Sequence, residues 1–218
     1  MKHRTIILAA CLLSLLLTTD SLAQGKVLTT YTYNVAFPTG STQDFVDRTS
    51  FRGLSIGGHW FRNPNLALSF TAGWNVFNER TDRLINVSLS DLSEVNVDTD
   101  AEGAISGQQF RYINSFPFVV GVEYYFGQED DVQPYLGLGA GVYYTTQRLD
   151  IGLVTLKEDE FRFGFSQEAG VLIPVRSGAS LLLGARYDYA FNSGNTLGGK
   201  FDVTYLSAKI GVAYEFSY

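Results

Sequence analysis

Alternation of apolar and polar positions predicts β-strands along most of this chain. The last stretch shows it most clearly, because every even position from Ala208 to Tyr218 is apolar or aromatic and every odd position from Ser207 to Ser217 is small or charged. Successive side chains of a strand point to opposite faces, so this stretch has one apolar face and one polar or small face. Seven earlier stretches repeat the pattern, near residues 31–37, 54–61, 66–76, 116–126, 136–144, 161–173 and 181–191. The pattern therefore predicts eight strands.

The connections between these strands alternate in length. Short turns are predicted near residues 63–65, 127–133 and 174–178, and longer connections near residues 38–50, 78–107, 150–160 and 192–200. Short periplasmic turns and long outer loops are typical of membrane barrels, whose tilted strands need roughly 9–11 residues to cross a bilayer. With an even number of strands, both termini lie on the periplasmic side. We thus predict an all-β fold, an eight-stranded antiparallel up-and-down transmembrane β-barrel.

A soluble barrel also alternates, but it would place charged side chains on its surface and large apolar groups inside. Here the non-apolar face of the fifth strand is rich in glycine, at Gly137, Gly139 and Gly141. Such a face is a poor solvated surface but a suitable lumen lining, because small residues make room for long side chains. Aromatic residues also gather at strand ends, as two interfacial girdles require. The predicted girdles are Trp60, Tyr124, Phe126, Tyr135, Phe216 and Tyr218 on the periplasmic side, and Phe37, Trp74, Tyr144, Tyr189 and Phe191 on the outer side.

Two positions do not follow the predicted pattern. Gln167 falls in the lipid-facing phase of the sixth strand, so we expect a β-bulge that shifts the register nearby. Pro117 lies within the fourth strand, where it lacks the N–H needed for a ladder hydrogen bond. The facing of side chains is expected to be least regular at these two points.

The N-terminus has the composition of an export signal. Residues 1–23 contain a positively charged start, an apolar run and a small-x-small cleavage site, which leaves a single barrel domain over residues 24–218. A lipoprotein cleavage box at residues 8–11 is the alternative, but its Cys11 lies in the middle of the apolar run. Removing residues 1–23 changes the net charge from −6 to −7 and removes the only cysteine. A net acidic chain without basic clusters argues against nucleic-acid binding, and a chain without cysteine has no thiol chemistry.

The end of the chain resembles the C-terminal assembly signal of bacterial outer-membrane β-barrels. The residues that carry this resemblance are Lys209, Gly211, Tyr214 and Phe216. With the glycine-rich run at residues 134–141 and the alternation of loop lengths, residues 24–218 resemble the small eight-stranded outer-membrane barrels of the OmpA/OmpX type. The resemblance implies location in the outer membrane of a Gram-negative bacterium, among outer-membrane lipid and lipopolysaccharide. It also implies periplasmic chaperones and the barrel-assembly machinery as partners during biogenesis, and we expect a monomer.

Inward-facing charges form the main candidate site. Charges in a confined interior need partners, because an isolated buried ion is very costly. An eight-stranded barrel has an interior just wide enough for side chains to fill, so these charges are expected to form a polar plug. We predict that Arg186 pairs across strands with Glu168. The full predicted lumen network is Glu123, Arg162, Glu168, Arg186, Asp188, Lys209 and Glu215.

Two further motifs contain residue types that occur in catalytic or metal-binding sites. His59 is the only histidine after residue 23, and it is followed by Trp60 and Phe61 rather than by the His-x-Ser pair of barrels that deacylate lipid A. We therefore expect a lumen histidine near the periplasmic rim with its hydrogen bonds satisfied. Residues 98–109 resemble a calcium loop, with oxygen ligands at positions one, three and five and glycine at six, but Gln109 replaces the usual glutamate at twelve. An acidic, solvated loop is expected there, and no metal or other cofactor is predicted.

The sequence therefore predicts a protein without enzymatic activity, whose plugged barrel anchors outer loops for contact with surface or lipid partners. A narrow channel for ions or small solutes is one alternative. A lipid-modifying enzyme is the other, but it would need a nucleophile and a base that converge near the outer leaflet, and the sequence shows no such pair.

Overall fold

The computed structural model describes residues 25–88, 104–128, 131–151, 154–192 and 201–217, which contain eight strands and one short helix. The predicted export signal and residues 98–103 of the calcium-type motif lie outside these ranges. Each strand pairs with its sequence neighbours in antiparallel fashion, and the first pairs with the last to close the barrel. This confirms the predicted fold class. The elements are β1 (Lys26–Pro38), α1 (Gly40–Phe45), β2 (Ser50–Asn63), β3 (Leu66–Ser88), β4 (Ala104–Tyr125), β5 (Gln133–Ile151), β6 (Val154–Arg176), β7 (Ala179–Ala190) and β8 (Val203–Ser217).

The seam between β1 and β8 closes the ring. Its register runs without a shift from the pair Lys26 and Ser217 to the pair Pro38 and Tyr205. Gly211 lies in this seam, and a Cβ atom at that position would collide with the backbone carbonyl oxygen of Tyr31. Glycine at this point of the assembly motif therefore allows the two terminal strands to approach closely.

The two ends of the barrel differ in their connections. We call the end with the short connections 64–65, 126–132 and 177–178 the turn end, where β1 also begins and β8 ends. Gly178 has a φ of 74°, a left-handed conformation that favours glycine in the tight connection between β6 and β7. The opposite end is the loop end. The predicted alternation of short and long connections therefore holds except between β5 and β6, which only two residues separate at the loop end.

Two predicted loops are largely strand. The expected loop at residues 78–107 is shortened because β3 continues to Ser88 and β4 begins at Ala104, and the expected loop around residues 150–160 is shortened because β5 and β6 are separated by two residues. The inner face of these extensions buries polar residues such as Gln109 and Gln147, so cross-strand backbone bonds maintain the strands without an apolar period. For that reason apolar alternation in the sequence does not indicate these additional strand residues of β3, β4, β5 and β6.

The barrel is apolar outside and largely polar inside. Among the described residues, no helix has the length and apolar character needed to cross a bilayer. Threonine, serine and asparagine side chains are buried in the interior, among them Thr30, Thr32, Asn34 and Ser69. Large apolar side chains are exposed on the outer surface of every strand, as with Tyr31, Leu54, Leu68, Phe118, Leu138, Phe163, Leu183 and Ile210. This distribution is the one that a lipid-facing barrel requires.

One member of the predicted girdles is misplaced. Tyr135 is only 2% exposed and points into the lumen, because it shares the inward phase of β5 with Gly137 and Gly139. Tyr218 lies outside the described residues. The outer surface nevertheless carries a row of contacting aromatic rings across four strands, formed by Trp74, Phe116, Tyr144 and Phe161.

The predicted bulge near Gln167 is wrong. Pairing between β5 and β6 is continuous from Gln133 and Leu172 to Ile151 and Val154, so Gln167 stays in the outward phase and is exposed. Pro117 does disturb its ladder, since the pairing of β3 with β4 has no bridge at Gly73. A Cβ atom on Gly73 would lie 3.0 Å from the Pro117 ring, so glycine there accommodates the proline.

Candidate functional site

Two apolar clusters occupy the ends of the lumen, and most of the charged residues lie between them. The turn-end cluster consists of Leu28, Ala67, Tyr125, Tyr135, Leu172, Leu182 and Ala213, with Phe61 packed against it. The loop-end cluster consists of Ala36, Val46, Phe77, Ile113, Val119, Tyr143, Ala190, Phe201, Val203 and Tyr205, with Phe45 packed against it. Phe45 and Val46 follow β1, so the connection between β1 and β2 folds inward and helps to fill the loop end.

The centre of the lumen holds two close ion pairs, Lys209 with Glu168 and Arg186 with Asp188, and Arg186 also lies near Glu168. The Glu168 carboxylate accepts a 2.6 Å hydrogen bond from Lys209 Nζ and a 2.7 Å bond from the Tyr135 hydroxyl. Arg186 lies 4.0 Å from the same carboxylate but donates to Asp188, two residues along its own strand, at 3.0 Å. Both pairs are almost completely shielded from solvent.

The expected cross-strand pair of Arg186 with Glu168 is present at 4.0 Å, but the shorter contact of Arg186 is with Asp188 on its own strand. Glu168 and Arg186 are direct register partners, yet Lys209 forms the shorter bond with Glu168. The register places Lys209 opposite Gly184 on β7, and this glycine has no side chain to obstruct the path of the ammonium group towards β6. Arg186 is then available to Asp188.

A second buried group lies closer to the turn end. His59 Nδ1 is 2.7 Å from the carboxylate of Glu123, which also accepts a 2.6 Å hydrogen bond from the Tyr125 hydroxyl. The other ring nitrogen of His59 lies 3.1 Å from Thr30 Oγ1. Both polar atoms of the histidine ring therefore have partners, which agrees with the expectation of a satisfied lumen histidine.

The order of hydroxyl, imidazole and carboxylate in this group matches that of a nucleophile, a base and an orienting acid. Thr30, His59 and Glu123 are each no more than 5% exposed. The cavity that touches Glu123 has a volume of about 10 Å³, which is room for about one water molecule. A lipid or acyl substrate cannot reach the threonine hydroxyl in this arrangement, so the geometry alone does not make an active site.

Gly137 separates the two central carboxylates. It lies between Glu123 and Glu168 in the register, and a Cβ atom at this position would be 2.9 Å from Glu123 Cγ and 3.6 Å from Glu168 Cβ. The glycine thus makes room for long side chains on the two neighbouring strands.

The two remaining predicted network residues lie at the ends of the barrel. Arg162 contacts Glu160 at 2.7 Å and Thr145 at 3.0 Å, and it also donates to the Phe201 carbonyl at the loop end. Glu215 pairs with Lys26 at 3.2 Å at the turn end and is partly exposed. The structure thus brings five of the predicted residues into the central lumen, namely Glu123, Glu168, Arg186, Asp188 and Lys209.

Sequence reasoning missed the tyrosines that complete this network. Tyr125, Tyr135 and Tyr143 donate hydroxyl hydrogen bonds to Glu123, Glu168 and Asp188, respectively. All three occupy odd positions, in the same phase as inward-facing Glu123, Gly137 and Gly139 on their strands. The period of two therefore indicates that these tyrosines face the lumen, although they carry no charge.

Arg186 lies between two small cavities in the middle of the lumen. Each cavity has a volume of about 10 Å³, and Arg186 contributes to the lining of both. Asn34, Asn75 and Asp188 line one of them, and Glu123 and Glu168 line the other. Within the described part of the chain, Arg186 is thus the residue with a formal positive charge that borders both of these cavities.

The assembly motif divides between the two faces of β8. Tyr214 and Phe216 are exposed on the outer surface, whereas Lys209 points into the lumen and is buried. Lys209 therefore has a structural role in addition to its place in the motif.

The calcium-type motif is only partly described. Asp98, Asp100 and Glu102 lie outside the described residues, and residues 104–109 belong to β4 rather than to a loop. Gln109 is buried on the inner side of the hairpin. The described residues contain no group of three or more His, Cys, Asp or Glu side chains placed to hold a metal ion.

Comparison with known proteins agrees with this architecture. A family model described as an outer membrane protein beta-barrel domain matches residues 7–216. No curated protein matches the sequence. Neisserial surface protein A is similar in structure, with 16% identity, a TM-score of 0.50, and coverage of 88% of this chain and 97% of that one.

Two further solved structures share the fold. The N-terminal barrel domain of Pseudomonas aeruginosa OprF is 12% identical, with a TM-score of 0.51 and coverage of 88% and 100% of the two chains. A major outer membrane protein from Thermus thermophilus is 12% identical, with a TM-score of 0.53 and coverage of 88% and 99%. At these identities the likeness extends to the fold and not to activity.

Proposed function

Because the chain belongs to the outer membrane protein beta-barrel domain family, we propose that it is a closed, non-enzymatic barrel that holds its loop-end hairpins at the outer surface of the outer membrane. The observation that carries this proposal is the filling of the lumen. Apolar clusters occupy both ends, and Arg186 borders the two small cavities in the middle. A lumen filled in this way suits a barrel that anchors its outer hairpins in the membrane better than a channel for solutes.

The connection between β1 and β2 forms a fixed part of the loop end. The connection after β1 is tied to β8, since Thr204 N donates to Thr42 Oγ1 at 2.7 Å and Thr39 N donates to the Thr204 carbonyl at 3.0 Å. Arg111 on β4 donates to the Phe45 carbonyl at 3.0 Å and so fastens the same connection from the other side. A surface fastened at both sides is suited to contact with another molecule, because little ordering is needed on binding.

The outer face of the β5–β6 hairpin provides polar groups for such contacts. Arg148 is paired with Asp150 at 2.9 Å and Lys157 with Asp159 at 2.8 Å, and both cations are about half exposed. They follow Tyr144 and Phe161 of the outer aromatic row towards the loop end. We include lipopolysaccharide and other outer-surface ligands among the proposed partners on the basis of this position, next to the lipid headgroups.

Planar-bilayer recording tests the closed barrel directly. We expect the purified wild-type protein to show no steady unitary conductance, because apolar clusters fill both ends of the described lumen and Arg186 lies against both small cavities between them. Arg186→Ala, which removes the group between the two cavities, is the matched variant. Steady, reproducible conductance from the wild type that Arg186→Ala does not increase would refute the closed barrel and support a narrow channel.

We also propose that the barrel-assembly machinery recognises β8. Phe216 occupies an aromatic position of the motif and is exposed on the lipid side. Phe216→Ser is expected to lower the yield of folded barrel in cells, as measured by heat-modifiable migration on gels. Phe118→Ser is the control, since Phe118 is a lipid-facing phenylalanine in the middle of β4. Equal yields from the two variants would contradict a special role of β8.

A further inference from the structure

A polar side chain lies on the lipid-facing surface near the middle of the barrel wall. The outward positions of β6 from Phe161 to Val175 are apolar except at Gln167, the fourth of eight. The register with β5 is continuous, and the register with β7 is continuous from Gly164 to Pro174. Together they hold Gln167 in the outward phase, opposite Leu138 on one side and Tyr187 on the other. Gln167 therefore faces the hydrocarbon core rather than the lumen.

The amide of Gln167 has no partner within its own barrel. Among the described residues, no group donates a hydrogen bond to this side chain or accepts one from it. The hydrocarbon core contains no water to replace such a partner, so polar groups in it are rare and usually find a hydrogen bond with a neighbouring protein segment. The position thus indicates a contact across the lipid-facing surface.

We propose that the wall formed by β5, β6 and β7 is an interface between two copies of this chain, with the two Gln167 amides hydrogen-bonded to each other. An amide carries both a donor and an acceptor, so across a two-fold axis each Gln167 donates to the other and accepts from it. A second copy supplies this complement by symmetry alone. The inferred dimer departs from the monomer expected from the sequence.

The surroundings of Gln167 permit close approach of a second barrel. Ala169 and Ala185 are register partners on β6 and β7 and are exposed on the same surface. Small side chains at membrane interfaces allow backbones to come near enough for hydrogen bonds across the contact. Beside this patch, Leu138 and Phe163 are 70% and 75% exposed, so they project from the wall and can pack against the partner.

Disulfide cross-linking in lipid vesicles tests the dimer. All variants carry Cys11→Ser, which removes the only cysteine, and receive one new cysteine either at Ala169 or, as the matched control, at the outward alanine Ala72 on β3. On oxidation we expect Ala169→Cys to form a covalent dimer and Ala72→Cys to remain at background. Adding Gln167→Leu to Ala169→Cys is expected to lower the association constant of the dimer by about three- to thirty-fold, the range of polar contacts between membrane segments, and to lower the cross-linked fraction with it.

Folding is monitored separately by heat-modifiable migration, because Gln167→Leu is expected to leave the barrel folded. Gln167→Asn keeps an amide and is expected to retain more dimer than Gln167→Leu. Cross-linking of Ala169→Cys no greater than that of Ala72→Cys would overturn the proposal, and would leave lipid or a different protein as the neighbour of Gln167. A dimer yield unchanged by Gln167→Leu in fully folded protein would also overturn it.

Discussion

Replacing Arg186 by methionine is expected to destabilise the folded barrel by about 3–5 kcal/mol, the usual cost of leaving a buried charge without its partner. Asp188 would keep only the 2.8 Å hydrogen bond from Tyr143, and Glu168 would lose one of its two cations. The side chains of Arg186 and Asp188 are 6% and 2% exposed, so solvent offers little compensation. Equilibrium unfolding in urea from lipid vesicles, followed by tryptophan fluorescence, measures the change.

The double variant Arg186→Met with Asp188→Asn is the control for this prediction. It removes both charges of the pair while the asparagine oxygen still accepts from Tyr143, so it is expected to be more stable than Arg186→Met alone. Replacing a whole buried pair is generally much less costly than removing one partner. If the single variant loses less than about 1 kcal/mol, or if the double variant is no better, the Arg186 pair does not act as a buried unit.

Lys209→Met is expected to destabilise the barrel by about 3 kcal/mol, the lower end of the range for a broken buried pair. The variant removes the 2.6 Å bond to Glu168, whose carboxylate keeps Tyr135 and the more distant Arg186. These remaining partners are the reason for choosing the lower value. The same urea titration measures the loss.

Lys209 also belongs to the assembly motif, so the two roles need separate tests. The double variant Glu168→Gln with Lys209→Met removes the charge pair, and it is expected to recover part of the lost stability without restoring the motif lysine. Reduced folded yield in cells with unchanged stability of the Lys209→Met variant would show that Lys209 acts in assembly rather than through its lumen pair.

The sequence by itself determined the number of strands, the closure into a barrel and the facing of most side chains. A period of two is a local property, so the inward phase of Glu123, Arg186 and Lys209 follows from their positions along their own strands. The same rule puts Tyr214 and Phe216 on the outer surface. Tyr135 was placed in the predicted girdle against this rule, because the odd positions of β5 face the lumen.

Only the tertiary structure decided which of the inward charges meet. The distance between Lys209 and Glu168 depends on the registers of three strands and on the absence of a side chain at Gly184, and neither is visible in the alternation of one strand. The full length of β3 to β6 also required the structure, because beyond the membrane a hairpin is maintained by cross-strand backbone bonds rather than by an apolar face. The lipid-facing position of Gln167 was decided in the same way, since the pairing around Gln167 is continuous with both neighbouring strands and leaves no bulge there to turn it inward.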